Sequence, residues 1–502
     1  MAMNKNEISE KCKYYCEWKQ DYSYIVSIFN FDKETIAPRG ASEESDKALA
    51  RIQQDIFKVL KSDDYINYVK EAYEKRNEFD EAHRRLFEFQ YKEYIRNINI
   101  SPELQYENSL LLGKSYTDWL NAKEKGDYNL YEPTFRKVVE MSRKLIELRD
   151  NKFATYYDML LDDFEPGNNE VILDKFFSEL KEGILPIIKK INASKQPRKD
   201  FLSYEVPIPL QERMSEFLLK FNGFDTNCGV LSTTEHPFTD FPSEHDIRVT
   251  THYYLDMFTS NIYSVIHEGG HAIFGQNIPH ELFALGLGDF ITSAEHETIS
   301  RFYENYIGRN KNYVYHLYNK TKEICGDIFK DVSFDEFYKG INIAEPSLIR
   351  TESDELTYCI HILIRYELEK DLINGKISTQ GLNLEWNRKY KEYLGVEPKN
   401  DSEGILQDVH WTGAAFGYFP SYALGNACGA MILNKMKEDI DFDKALLDGD
   451  LEKIKNWLKE KVFSFAPLKD PNEWIKAITG KDFSTKDYIN YLYEKFSKLY
   501  NF

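Results

Sequence analysis

The 502-residue sequence is poor in cysteine, and the spacing of its six cysteines excludes two kinds of cysteine-based scaffold. No CxxC pair is followed by a second pair or by histidines at zinc-finger spacing, so neither a disulfide framework nor a zinc-finger module is expected. The pattern instead predicts buried, reduced thiols. The cysteines are Cys12, Cys16, Cys228, Cys325, Cys359 and Cys428.

Positive charge is also scarce. There are 64 Lys and Arg residues against 83 Asp and Glu residues, which gives a net charge of -19, and the basic residues are dispersed among the acids. A protein that binds nucleic acid or an anionic membrane surface needs a basic patch. We therefore expect neither partner and interpret the acidic surface as one exposed to solvent.

Long apolar runs are absent too. Residues 412–434 contain no charged side chain, but their glycines, asparagines, proline and serine make a poor lipid span. They are therefore expected to be buried protein interior. The stretch MAMNKNEISEKCKYYCEW lacks the apolar core and cleavage site of a secretory signal, so a cytoplasmic protein is expected.

Helical periodicity dominates the first 200 residues. Apolar side chains recur at i, i+3, i+4 and i+7 within residues 47–62, 65–79, 81–98 and 135–161. Turn-rich breaks fall at residues 36–45, 99–103 and 164–170. No fixed-period repeat is present, which argues against a solenoid.

The pattern changes between about residue 200 and residue 255. SYEVPIPL (203–210) and DIRVTTHYYLDM (246–257) alternate and carry β-branched residues, which predicts short strands, the second leading directly into a helix. Helices resume afterwards, and no Gly- or Pro-rich linker separates the blocks. We therefore predict a mainly α fold, a single helical body over residues 1–502 with a small antiparallel sheet.

VIHEGGHAIFG (265–275) carries the chemistry. His267 and His271 are four residues apart, so they project from one helix face and can hold one ion. Glu268 lies roughly 100° round the helix, where it can take a proton from a metal-activated water without being a ligand. This is the HExxH pattern of metallopeptidases, and two unrelated histidines on an ordinary helix are the alternative.

The two glycines of this stretch are unexpected, because each costs a helix interior about 0.8–1 kcal/mol relative to alanine. On a helical wheel, Gly269 falls near the centre of the apolar stripe, opposite the histidines, and Gly270 falls at its edge. We therefore predict that the backbone of another helix packs closely against Gly269.

A third ligand must come from elsewhere in the chain. FITSAEHETISRFYEN places Thr292 and Glu295 at capping-box spacing and continues as a helix. Glu295, Glu297 and Glu304 are the candidates. Glu295 is the more natural capping residue and Glu304 lies two turns further on, so spacing favours Glu297 only weakly over its neighbours.

At this point the sequence resembles the thermostable carboxypeptidase 1 family, also called the carboxypeptidase Taq family of zinc metallocarboxypeptidases. Similar motifs are spread along almost the whole chain, which a chance HExxH would not produce. They are NFDKETIAPRGA, YDMLLDDFEPG, HPF (236–238), DIRVT (246–250), HEGGH (267–271), HETIS (296–300), IRTESD (349–354), IRYELE (364–369), and GILQDVHW (404–411) with the following FGYFPSYALGN.

The resemblance implies a ligand set and an architecture. Glu297 becomes the third ligand, although HETIS stands here where HESQS is more usual. The implied ion is zinc, and the ligand set also tolerates Co²⁺ or Mn²⁺. The family further implies a deep groove, covered by residues 1–200 above a catalytic part of residues 201–502, a broad preference for the C-terminal residue, and a homodimer.

The family motifs also suggest residues that bind the substrate. A free α-carboxylate calls for an arginine, and Arg350 occupies the matching position; pairing with Glu352 or Asp354 is its structural alternative. His410 and Tyr418 are placed to support an oxyanion, or else belong to a buried aromatic loop. His236 is a weaker candidate for peptide binding. Arg248 is another weak candidate, since it can pair with Asp246 on an edge strand whose free backbone groups would bind an extended peptide.

The sequence therefore predicts a metallocarboxypeptidase that releases single residues from the free C-terminus of peptides. His267, His271 and Glu297 would hold the ion, with Glu268 as general base. One alternative is an oligopeptidase or endopeptidase with the same HExxH pattern. Another is a non-catalytic helical scaffold that binds peptide or metal, although such a scaffold would have no need of Glu268.

Overall fold

The computed structural model describes residues 3–288 and 291–502, and for Arg39 the backbone alone. These ranges contain 21 α-helices and three strands. The helices are α1 (Lys5–Thr35), α2 (Ser42–Leu60), α3 (Asp63–Glu74), α4 (Glu81–Asn97), α5 (Pro102–Lys125), α6 (Glu132–Glu147), α7 (Tyr156–Phe164), α8 (Glu170–Asn192), α9 (Ile208–Asn222), α10 (Phe258–Gly275), α11 (His280–Ala284), α12 (Ser293–Arg301), α13 (Lys311–Cys325), α14 (Phe334–Ile341), α15 (Tyr358–Ile373), α16 (Leu382–Tyr393), α17 (Phe419–Asp439), α18 (Phe442–Asp448), α19 (Leu451–Lys461), α20 (Pro471–Thr479) and α21 (Lys486–Tyr500). The strands are β1 (Gly229–Thr233), β2 (Thr239–Ser243) and β3 (Asp246–Thr251).

The N-terminal helices follow the predicted periodicity, and side-chain caps fix where several of them begin. Ser62, Asp80 and Ser101 each accept a hydrogen bond from a backbone N–H in the first turn of α3, α4 and α5. The segment 135–161 is not one helix, however. It divides into α6 and α7, because Thr155 caps a new helix start by accepting from the N–H of Asp158 at 3.0 Å.

The sheet is mixed, and this corrects the prediction of an antiparallel one. Its strand order is β1-β3-β2, with β1 parallel to β3 and β2 antiparallel to it. β3 is therefore the central strand, and its backbone is paired on both sides. The hypothesis that DIRVT is an edge strand available to a peptide is wrong.

SYEVPIPL was also predicted as a strand and is not one. Its beginning lies in a 3₁₀ turn, Asp200–Ser203, and its end is the start of α9, where Pro207 is the N-cap residue. The alternation reflects one buried residue, Val206, whose N–H donates to the carbonyl of Leu255 at 2.7 Å. A single backbone hydrogen bond of this kind does not extend into a ladder.

The core surrounds α10, which follows β3 after the short segment 252–257. Helix α12 packs against α10 and against α17, and α17 is buried along most of its length, as its uncharged sequence predicts. Within the described ranges, no helix combines the length and the apolar character that crossing a lipid bilayer requires.

Candidate metal centre

Three side chains converge at the contact of α10 and α12. His267 and His271 project from one face of α10, and the centroids of their rings are 5.1 Å apart. The distance from His267 Nε2 to Glu297 Oε2 is 3.7 Å, and from His271 Nε2 to Glu297 Oε1 it is 4.0 Å. Two imidazole nitrogens and one carboxylate form a usual ligand set of catalytic zinc, and the three ligand atoms lie within 4.8 Å of one another. These residues fit a divalent metal.

The first turn of α12 distinguishes the three candidate glutamates. Glu295 is the capping residue, because its Oε2 accepts hydrogen bonds from the N–H groups of Ile291 and Thr292 at 3.1 Å each. Thr292 caps the same helix end in return. Glu297 lies two residues further on and points to the histidines of α10.

Glu304, the third candidate, supports a ligand instead of being one. A π-helical turn, Phe302–Ile307, follows α12 directly and carries this residue. Glu304 Oε2 lies 2.8 Å from His267 Nδ1 and accepts from Arg301 Nη1 at 2.7 Å. Burial acts to raise the pKa of Glu304, but the charges of Arg301 and His267 outweigh it and lower the pKa to about 2. The carboxylate thus fixes the imidazole of His267 from the side away from the ion.

Glycines on both sides of α12 allow the helices to approach closely enough for this geometry. A Cβ at Gly270 of α10 would lie 2.9 Å from Ser300 Cα, and one at Gly425 of α17 would lie 2.9 Å from the carbonyl carbon of Glu297. Both distances are shorter than carbon atoms tolerate. The backbone around Glu297 is therefore held between two helices at positions where neither carries a side chain.

The prediction for Gly269 is wrong. A Cβ at Gly269 would meet only the side chain of Leu219, at 3.1 Å, and no backbone. The close helix contact is made one residue later, by Gly270. The helical wheel placed Gly270 only at the edge of the apolar stripe, but α12 packs on that edge and not on the centre.

Glu268 lies beside the trio of His267, His271 and Glu297, and is held by the sheet. The hydroxyl of Thr239 in β2 lies 2.7 Å from Glu268 Oε2 and 2.9 Å from its carbonyl oxygen, so it can donate to either. Burial raises the pKa of Glu268, and the negative charges of Glu297 and Glu304 act in the same direction, while His267 and the Thr239 hydroxyl oppose them. The carboxylate is thus oriented and made more basic than an exposed glutamate.

Tyr418 and His410 reach the same region from the loop before α17. The phenol of Tyr418 donates to Glu297 Oε1 at 2.8 Å. The ring of His410 lies 5.5 Å from that of Tyr418, centroid to centroid, and His410 Nε2 lies 3.1 Å from the hydroxyl of Tyr422. The structure therefore brings Tyr418 into contact with the trio and places His410 against Tyr418.

A buried carboxylate, Glu369 of α15, anchors this loop. It accepts from the indole N–H of Trp411 at 2.7 Å and from the backbone N–H of Gly417 at 3.1 Å. Gly417 has a φ of +95°, and its position lies against the backbone of Leu161, so only glycine fits there. Burial raises the pKa of Glu369 to about 7. The two hydrogen bonds fix the part of the loop that lies between His410 and Tyr418.

A second buried polar group consists of Arg350, Arg365 and Asp408, and we call it the arginine cluster. Only 4% of the surface of Arg350 is exposed. Its Nε and Nη2 donate to Asp408 Oδ1 at 2.9 and 2.7 Å, and its Nη1 donates to the hydroxyl of Tyr358 at 2.8 Å. Arg365 Nε donates to the other oxygen of Asp408 at 2.6 Å. Two arginines thus share one carboxylate, and a positive charge remains.

The partners that local sequence suggested for Arg350 are occupied elsewhere. Glu352 accepts from the hydroxyl of Ser260 at 2.9 Å, and Asp354 accepts from the hydroxyl of Thr357 at 2.6 Å. Arg350 also stacks on the ring of Tyr422, at 4.9 Å from the centroid. Because the hydroxyl of Tyr422 also lies 3.1 Å from His410 Nε2, Arg350 and His410 contact the same tyrosine.

The structure does not bring the last two predicted residues to the same place. His236 lies near the arginine cluster, since Asp408 and Arg350 both affect its pKa, which burial lowers to about 4. Arg248 donates to both oxygens of Asp246 at 3.0 Å and lies 5.0 Å from the ring centroid of Phe31 in α1. None of its described contacts involves the trio.

Three residues with clear roles at the site were missed. Thr239 directly follows HPF, Asp408 lies within GILQDVHW, and the sequence indicates Glu304 only as a possible ligand. Glu304 and His267 are 37 residues apart on different elements, so no sequence pattern indicates that they contact each other. Glu304 makes this contact from within the π-helical turn.

Comparisons with known proteins agree over nearly the whole chain. The model of the family described as carboxypeptidase Taq (M32) metallopeptidase matches residues 11–496. Carboxypeptidase 1 of Bacillus subtilis (strain 168) is 40% identical over 489 residues, which is 95% of this chain and 96% of the relative. Thermostable carboxypeptidase 1 of Thermus thermophilus is 30% identical over 500 residues, 96% and 98% of the two chains. The crystal structure of a protein called BsuCP superimposes with a TM-score of 0.95 at 39% identity, covering 98% of this chain and 99% of the other.

Proposed function

Because the chain belongs to the carboxypeptidase Taq (M32) family of metallopeptidases and is a metallocarboxypeptidase, we propose that it removes single residues from the free C-terminus of peptides with a zinc ion held by His267, His271 and Glu297. The observation that carries this proposal is the convergence of these three ligands beside Glu268. Cobalt or manganese would suit the same ligands.

The trio would hold the ion, and Glu304 would orient His267 for it. When bound, the ion supplies Lewis-acid polarisation of the scissile carbonyl and activation of a water molecule. Glu268 takes a proton from the attacking water and then delivers it to the leaving amine. The raised pKa of Glu268 suits both tasks, because a more basic carboxylate accepts the proton more readily near neutral pH.

The substrate would be held where Tyr418 and His410 approach the trio. Tyr418 and His410 are proposed to stabilise the oxyanion. The phenol of Tyr418 donates a hydrogen bond to Glu297, one of the proposed metal ligands. Arg350 is proposed to attract the C-terminal carboxylate, supported by the positive charge that remains on the arginine cluster. His236 would line the same pocket.

We also propose the wider properties that the family resemblance implies. These are a broad preference for the C-terminal residue, a homodimer, a cytoplasmic location, and a groove between an N-terminal helical part, residues 1–200, and a catalytic part, residues 201–502. The supporting observation for the groove is that residues of both parts surround the loop that carries His410, including Trp119 of α5 and Glu369 of α15.

The test is the hydrolysis of one peptide in three forms, with a free C-terminus, an amidated C-terminus, and an acetylated N-terminus. We expect release of single C-terminal residues from the first and third forms and no cleavage of the amidated form. The zinc-loaded Glu268→Gln variant is the control, and we expect it to be slower by about 10²–10⁴-fold at unchanged zinc content. Equal cleavage of the amidated peptide would instead show an endopeptidase.

A further inference from the structure

Three buried histidine nitrogens near the arginine cluster have no hydrogen-bond partner among the residues that the structure describes. They are Nε2 of His361 and, of interest here, Nε2 of His236 and Nδ1 of His410. Burial lowers the pKa of His236 to about 4 and that of His410 to about 3, so both rings are neutral near neutral pH. Buried polar atoms nearly always have partners, and an unpaired one is costly. A ligand that is absent from the structure would account for both.

The position of these nitrogens indicates which part of a peptide they would meet. The ring of His410 contacts that of Tyr418, whose hydroxyl donates to the metal-trio residue Glu297. The unpaired nitrogen of His410 is therefore one aromatic side chain away from the trio. In a carboxypeptidase, the group that lies one residue beyond the scissile carbonyl is the C-terminal carboxylate.

A further cation approaches this pocket from the N-terminal helices. The last turns of α5 pack on the segment that precedes His410, because the indole N–H of Trp119 donates to the carbonyl of Leu406 at 3.0 Å and the hydroxyl of Ser402 donates to the carbonyl of Lys123. The Nζ of Lys123 lies 4.8 Å from the ring centroid of Trp119. Within the described ranges, no carboxylate or hydrogen-bond acceptor contacts that Nζ.

The charges around Lys123 include those of the arginine cluster. Burial lowers the pKa of Lys123, and the negative charges of Glu235 and Asp408 oppose this effect. The Lys123 ammonium in turn helps to lower the pKa of His236. Lys123 is thus within electrostatic range of both the arginine cluster and the unpaired histidine. A lysine that is partly desolvated and has no ion partner is a natural place for an anion.

Arg350 alone is poorly suited to bind the carboxylate. Three of its N–H groups are already used by Asp408 and Tyr358, and its side chain is almost fully enclosed. Asp408 also neutralises part of its charge. Lys123 has none of these commitments.

We propose that Lys123 is a substrate-binding residue that pairs with the C-terminal carboxylate of the peptide, next to Arg350, His236 and His410. This inference rests on the proposed carboxypeptidase function and specifies how the free C-terminus is recognised. The carboxylate would then be held by α5 from one side and by the segments of Arg350 and His410 from the other.

The experiment compares Lys123→Met with Lys125→Met, an exposed lysine on the same helix. Methionine keeps the apolar stem that covers Trp119. We expect Lys123→Met to raise KM for a peptide with a free C-terminus by about 10–100-fold, which corresponds to the loss of one hydrogen-bonded charge pair. We expect kcat to change by less than about threefold, and Lys125→Met to resemble the parent protein.

A pair of competitive inhibitors that differ only in a terminal carboxylate or carboxamide separates recognition from structure. If Lys123 binds the carboxylate, Lys123→Met lowers the preference for the carboxylate inhibitor, and Lys123→Arg restores it. If Lys123 only supports the fold, both inhibitors weaken equally and the inference is wrong. An unchanged KM in Lys123→Met also overturns it while leaving the carboxypeptidase function intact. Failure of that function would appear instead in the parent protein, as equal cleavage of the amidated peptide.

Discussion

The metal trio and the arginine cluster are both buried polar groups, but they are built in opposite ways. In the trio, histidine nitrogens and carboxylate oxygens face one another at 3.7 and 4.0 Å, too far apart for hydrogen bonds. In the arginine cluster, every contact with Asp408 is a hydrogen bond of 2.6–2.9 Å. Asp408 thus has its hydrogen bonds within the protein, whereas the atoms of the trio are positioned for an ion. Losing Asp408 should therefore reduce stability, and losing a residue of the trio should chiefly reduce metal binding.

The largest expected effect on stability is that of Asp408→Asn. This variant keeps the shape of the side chain but leaves Arg350 and Arg365 without a counter-charge in a buried site. We expect it to lower the free energy of unfolding by about 3–5 kcal/mol, measured as a shift of the urea midpoint.

The matched control is Glu297→Gln in the metal-free protein. The hydroxyls of Tyr418 and Ser300 donate to different oxygens of Glu297, so in the variant one can still donate to the amide oxygen and the other can accept from the amide NH₂, and no hydrogen-bonded cation is lost. We expect a change of less than about 1 kcal/mol, which is the net value of a typical hydrogen bond. If both variants lose the same stability without metal, the two groups do not differ as described.

The next prediction concerns metal affinity and tests whether Glu304 supports the ligand His267. Glu304→Gln weakens the hydrogen bond that orients His267 and removes the charge that strengthens it. We expect zinc affinity to fall by about 10–100-fold, measured by competition with a chelator. Glu295→Gln changes a buried carboxyl of the same region that contacts no ligand, and its affinity should stay within about twofold of the parent protein. Parent-like affinity in Glu304→Gln would rule out the supporting role.

The difference between the two groups also explains what the sequence could predict. His267, Glu268 and His271 lie on one helix, so their spacing alone determines their relative directions. Glu297 required the family resemblance, because three acids lay near the right distance and helix spacing could not decide among them. The arginine cluster depends on a contact between Arg350 and Asp408, 58 residues apart, and local reasoning offered Glu352 and Asp354 instead.

For the fold, the sequence predicts correctly the helices that depend on the spacing of nearby apolar residues. It does not predict the features that depend on packing between distant segments. The α2, α3 and α4 helices follow from their apolar periodicity, and α17 from its lack of charge. The alternation in SYEVPIPL looked like a strand because one buried valine and two prolines mimic the period of two. The orientation of β1 relative to β3 is not encoded in either strand.

The smallest effect compares two neighbouring glycines behind the trio. Gly270→Ala would place a methyl group 2.9 Å from Ser300 Cα and push α12 away from α10. We expect a loss of about 1–3 kcal/mol in the free energy of unfolding, typical of overpacking, and weaker zinc binding because Glu297 moves with α12.

Gly269→Ala is the control for that substitution, because its methyl group meets only the flexible end of Leu219. Alanine also gains about 0.8–1 kcal/mol of helix propensity, which offsets the adjustment of Leu219. We therefore expect parent-like zinc affinity and a change in stability below about 1 kcal/mol. If instead Gly269→Ala costs as much as Gly270→Ala, the close contact of α10 with α12 at Gly270 does not set the position of Glu297.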